Sequence, residues 1–115
     1  MHEVLFDDRG LGEGATTLDL AKALIDEGFH PMTMYFPLVV HGALLVEPTE
    51  TESKQSLDQF IAVVRALAGR ARDGETADFR AAPRLTPRRR LDETAAARRP
   101  VLRWRPPEPR QQAAD

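Results

Sequence analysis

Two lysines, three histidines and one acidic run are the groups of this chain with the chemical range to act on a small molecule. A lysine becomes a nucleophile toward a carbonyl when burial or a cationic neighbour holds it unprotonated. Lys22 instead falls beside Asp19 and Asp26 at helical spacing and reads as part of a solvated ion-pair face. Lys54 follows Glu50 and Glu52 and reads the same way. His2, His30 and His41 lie on three different predicted elements and lack the paired spacing of a metal site, so no metal is expected. His30 stands in a turn ahead of a predicted strand, where it serves either as a turn residue or as a catalytic group. The run from Glu47 to Ser53 is explained by helix capping, because carboxylates and hydroxyls at a helix amino terminus satisfy free N–H groups and suit the dipole. Its second reading is a loop, Thr49, Glu50, Thr51, Glu52 and Ser53, that forms the wall of an active site completed from outside the chain. Gly10, Gly12 and Gly14 lack both the spacing and the lysine of a phosphate loop.

The elements that must position these groups follow from period and punctuation. His2 to Phe6 reads as a short strand, closed by a turn-prone run with three glycines. Thr16 and Asp19 form a capping-box-like start. Leu20, Ala21, Leu24 and Ile25 then repeat at helical spacing until Gly28 supplies a left-handed stop. Met32 to Phe36 is a second strand halted by Pro37, and Ala43 to Glu47 a third ended by Pro48. Thr49 and Glu52 offer a second capping box. The helix beyond it carries Leu57, Phe60, Ile61, Val64 and Leu67 on one stripe and runs to about Arg72. The order βαββα predicts a small α/β (α+β) sandwich, with two helices on one face of a mostly antiparallel sheet. Met32, Met34 and Phe36 alternate with Thr33 and Tyr35, so the other face also carries sizeable side chains and is open to docking.

The 115 residues suffice for one small domain. Lacking cysteine, the chain is denied a disulfide framework, a zinc-thiolate site and a thiol nucleophile, and suits a reducing cytoplasm. With an acidic start and no apolar run of spanning length, it reads as soluble, unexported and free of membrane. Residues 1 to 63 carry three basic and eleven acidic side chains, and residues 64 to 115 carry thirteen and seven. Six of the nine prolines lie at Pro83 or beyond, where large apolar residues thin out. We therefore expect a domain over 1–73 and an irregular, extended Arg/Pro-rich tail over 74–115. The tail arginines, Arg88 to Arg90 among them, suit a solvated or subunit-docking role. Asp92 and Glu93 dilute their field and no recognition module accompanies them, so no nucleic acid is expected.

Five blocks, HEVLFDDR, TTLDLAKALIDEGFHPMTMYFP, ALLVEPTETESKQSLDQFI, APRLTPRRRLDE and AARRPVLRW, together cover most of the chain. In them the sequence resembles glycine dehydrogenase (decarboxylating), the P-protein of the glycine cleavage system. The arginine-rich ending is similar to the second subunit of its two-subunit bacterial form. The resemblance implies the small carboxyl-terminal domain of an aspartate-aminotransferase-like pyridoxal phosphate enzyme. It also implies glycine decarboxylation, with the aminomethyl group passed to the lipoyl arm of the H-protein. The cofactor lysine of that family lies upstream of the matching segment, so the expectation is a carboxyl-terminal fragment, inactive and without cofactor alone. Its expected partners are the missing large domain, subunit 1 and the H-protein. The competing expectation is a stand-alone α/β binding or regulatory module.

Overall fold

A computed structural model describes residues 2–106 of the chain. Three short strands, β1 (Val4–Phe6), β2 (Thr33–Met34) and β3 (Leu44–Val46), form an antiparallel sheet in the order β1-β3-β2. The register sets Val4, Leu5 and Phe6 opposite Val46, Leu45 and Leu44, and Thr33 and Met34 opposite Leu45 and Leu44. Among the described residues are four α-helices, in chain order α1 (Thr17–Asp26), α2 (Lys54–Arg72), α3 (Thr76–Ala81) and α4 (Glu93–Arg98). This is the expected α+β arrangement, enlarged by α3, α4 and a 3-10 turn at Asp8–Leu11 that buries Leu11.

The ends of α1 obey its local chemistry. Thr16 Oγ1 accepts from the Asp19 N–H at 3.2 Å, and Asp19 Oδ2 accepts from the Thr16 N–H at 2.9 Å. At the other end Gly28 adopts φ 83°, and the Gly28 and Phe29 N–H groups donate to the Ile25 and Leu24 carbonyls, both at 3.0 Å. Gly74, at φ 88°, ends α2 in the same way.

The amino terminus of α2 differs from the expectation. Ser53, not Thr49, is the cap: its Oγ accepts from the Ser56 N–H at 3.0 Å, while the Thr49 hydroxyl pairs with that of Thr51 at 2.8 Å. Glu52 cannot close the expected box because it precedes the cap, and its Oε2 accepts from Ser56 Oγ instead. Ser53→Ala is therefore expected to cost about 1 kcal/mol in urea unfolding, and Thr49→Ala to stay within about 0.5 kcal/mol of the parent. Equal costs would contradict this assignment.

The strands are shorter than the alternation suggested. Beyond Met34 the backbone swings to φ 62° at Tyr35, a left-handed conformation that costs a bulky residue roughly 1–2 kcal/mol. The connection from Tyr35 to Gly42 leaves Phe36, Leu38 and Val39 exposed. Buried Thr17 holds its far end by donating to the Gly42 carbonyl at 2.8 Å, and any Cβ on Gly42 would overlap the Asp8 carboxylate.

The core lies toward one end of the sheet. Leu11, Leu20, Leu24, Leu44, Leu67 and Ala71 pack there, and Phe79 and Ala82 join them. The core thus runs across the expected boundary at Asp73-Gly74, and residues beyond it are neither wholly irregular nor wholly solvated. Composition misled because one phenylalanine suffices: Phe79 is 2% exposed, with the Arg70 guanidinium 5.8 Å above its ring. Asp26 secures the following segment by accepting from the Arg84 and Leu85 N–H groups at 2.7–2.8 Å.

Candidate functional site

An open groove of about 400 Å³ runs between the edge of the sheet and the first half of α2. Val4 and Phe6 of β1 and Val46 of β3 form one wall, and Leu57, Phe60 and Ile61 of α2 the other. The wall exists because alternate residues of a strand share a face, and because residues three and four apart share a helix face. Phe29, delivered by the turn at Gly28, meets Phe60 edge to face at 5.4 Å between centroids. The rim is polar: His30, Glu47, Glu52 and Ser56 border the opening.

His30 and Glu52, two of the residues singled out from sequence, therefore come to one mouth. His30 Nδ1 lies 2.9 Å from the Pro31 carbonyl, which can only accept, so the bond consumes the Nδ1 proton. In the neutral ring Nε2 is then left with its lone pair. Ser53 is spent on the helix cap and Thr49 and Thr51 on each other, and all are exposed. Glu50 is exposed on the same loop. The apolar walls were not singled out as a site, because Val4, Phe6, Phe29 and Phe60 look like ordinary core residues in sequence.

The remaining ionisable groups are scattered. His2 pairs with Glu3 at 3.1 Å on the surface, and His41 Nδ1 lies 3.4 Å from Asp8. Among the described residues no three His, Asp or Glu side chains are placed to hold a metal ion. Lys54 pairs with Asp58 one turn on and is solvated. Lys22 borders a shallow hollow shared with Asp92 and Glu93. A pyridoxal phosphate cradle needs a lysine beside phosphate-binding donors, and acidic neighbours give the reverse field. The described residues do not fit that cofactor.

Comparison with known proteins resolves the family. The model of a family described as "Glycine dehydrogenase, C-terminal domain" matches residues 1–84. The chain belongs to this family. It is 71% identical over 107 residues to the probable glycine dehydrogenase (decarboxylating) subunit 2 of Caulobacter vibrioides, a match covering 92% of this chain and 20% of the relative. Proteins of the same description from Kosmotoga olearia and Caldanaerobacter subterraneus subsp. tengcongensis are 48% and 50% identical. Those matches cover 93% and 90% of this chain and 22% and 21% of the relatives. The chain thus spans about a fifth of the length of the curated relatives it matches. The glycine dehydrogenase segment matched by the family model ends at residue 84, just past the core residues Phe79 and Ala82. Among the described residues, no helix is long and apolar enough to cross a membrane.

Proposed function

We propose that this chain supplies the carboxyl-terminal domain of a cytoplasmic glycine dehydrogenase (decarboxylating). The observation that carries the proposal is the family match over residues 1–84, joined to 71% identity with the Caulobacter protein. In this reading glycine loses its carboxyl group on pyridoxal phosphate held by other parts of the enzyme, and its aminomethyl group passes to the lipoyl H-protein. The part played here is positional. His30 and Glu52 border the groove, and in this reading they form, with the rest of the 49–53 loop, a wall for a site completed by the large domain and subunit 1. The alternative, a stand-alone binding or regulatory module, fits poorly with Val4, Phe6 and Ile61 each more than 40% exposed on one apolar groove.

Exchanging this chain for the matching segment of the Caulobacter protein tests the proposal. With subunit 1, H-protein and pyridoxal phosphate added, the chimera is expected to release the carboxyl carbon of glycine within about tenfold of the parent rate, a difference of about 1.4 kcal/mol in barrier. The 115-residue chain alone is expected to release none. His30→Ala in the chimera is expected to lower kcat/KM by at least about tenfold. A folded chimera without activity would sink the proposal, and an unaltered His30→Ala variant would remove His30 from the wall.

A further inference from the structure

The apolar stripe of α2 is unevenly buried along its length. The second half of the stripe finds the core, with Leu67 3% exposed and Ala71 1%. In the first half Ile61 lines the groove and is 48% exposed. On the strand side Val4 is 43% and Phe6 49% exposed although both side chains point toward the helix. Among the described residues β1 pairs with β3 alone, so its outer edge offers unpaired backbone groups beside this groove. A missing strand leaves such a signature: a free edge, inward side chains half bare, and a helix stripe left open at Ile61.

We propose that the free edge of β1 and the groove against α2 take up a fourth strand, supplied by the part of the glycine dehydrogenase polypeptide that this chain does not span. One strand placed about 4.8 Å outside β1 sends every second side chain over Val4 and Phe6 toward Ile61 and Leu57, while its backbone pairs with β1. The matched relatives carry about four-fifths of their polypeptide outside the matched segment. A second copy pairing through the same edge is disfavoured because Glu47 and Glu52 border the groove and would meet their own counterparts across the seam. The same charges call for a strand with apolar residues at alternate positions and lysine or arginine at its ends. The inference rests on the family assignment and is independent of the role proposed for His30.

Amide hydrogen exchange, compared between the isolated 115-residue chain and the intact Caulobacter protein, tests it. The positions matching Val4–Phe6 are expected to exchange at least tenfold more slowly in the intact protein. Ile61→Cys, mild at a half-exposed site in a chain without other cysteines, is expected to react quickly with a thiol reagent in the isolated chain. The matching position of the intact protein is expected to be shielded. Shielding of the thiol without slowed exchange at β1 would overturn the strand in favour of a helix or loop. Slow exchange that already appears in the isolated chain and grows with its concentration would overturn the choice of source in favour of a second copy. No change in either readout would overturn the proposal, while the activity of the chimera would still decide the function by itself.

Discussion

Phe79→Ala is expected to destabilise the chain by about 3–5 kcal/mol, the cost of deleting a buried aromatic ring and leaving its cavity. A domain of this size holds roughly 5–15 kcal/mol in all, so the variant is expected to be largely unfolded at modest urea. The size of the effect follows from where α3 lies. Phe79 is 2% exposed among Leu20, Ala23, Leu24, Leu67 and Ala71, with Ala82 and Pro83 completing the lid at its carboxyl end. Arg70 spans the same junction, donating to Glu75 at 2.6 Å and to Asp78 at 2.9 Å, and lies over the ring. These ion pairs are partly exposed and add little, so the ring itself carries the attachment. Urea unfolding followed by circular dichroism measures the effect. A midpoint close to that of the parent would mean that residues 76–84 are an appendage and that the core closes without them.

Capping and periodicity made most of the fold legible, because those signals are local. Thr16 with Asp19, Gly28 as a stop, and the Leu20–Leu24 repeat each act within a few residues and reappear as expected. Ser53 was misjudged for a reason of the same kind: Thr49 and Ser53 both precede a helical run, and only the turn at Thr49–Glu52 selects the later cap. Phe79 and Arg90 were hidden for a different reason. Phe79 packs on α1 and α2 and the Arg90 guanidinium reaches Asp19, far back in sequence, and no spacing rule links residue 90 to residue 19. The groove was half legible. His30 and Glu52 stood out as polar residues in a distinctive segment, but their meeting at one mouth depends on the turn after α1 and the loop before α2 arriving at the same groove. Family membership came from resemblance and comparison, since the residues capable of chemistry on this chain do not by themselves spell glycine dehydrogenase.

Breaking the clasp between Asp19 and Arg90 is expected to have the second largest effect, and it carries a pH signature. Arg90 Nη2 donates to Asp19 Oδ1 at 2.7 Å and to the Phe79 carbonyl at 2.8 Å, while its Nε donates to the Ala82 carbonyl at 2.8 Å. One guanidinium thus joins the start of α1 to the end of α3. Asp19 is 5% exposed, and burial on its own raises its carboxyl pKa. Hydrogen bonds from Thr16 and Arg90 outweigh burial and hold it below the ordinary value. A carboxyl whose pKa is depressed by folding contributes stability that is fully present above its unfolded value, about 3.9, and is lost as pH falls through the folded value. Arg90→Met should cost about 2–3 kcal/mol at pH 7, less than the roughly 3–5 kcal/mol of a fully buried pair, because the Arg90 side chain keeps 33% exposure. Without its partner Asp19 is left to burial and the Thr16 bonds, so the depression of its pKa, and with it this group's share of the acid dependence, should shrink in this variant. Asp19→Asn should remove this group's share of the pH dependence while leaving Arg90 without its anion. A double-mutant cycle by urea unfolding at pH 7 is expected to give a coupling of about 1.5–3 kcal/mol, the range of a hydrogen bond to a charged group. At a pH below the folded value the coupling should shrink toward zero, because a protonated Asp19 meets Arg90 as a neutral group. A coupling near zero already at pH 7 would show that Arg90 acts through its two carbonyl bonds alone, and that the carboxylate serves only the cap of α1.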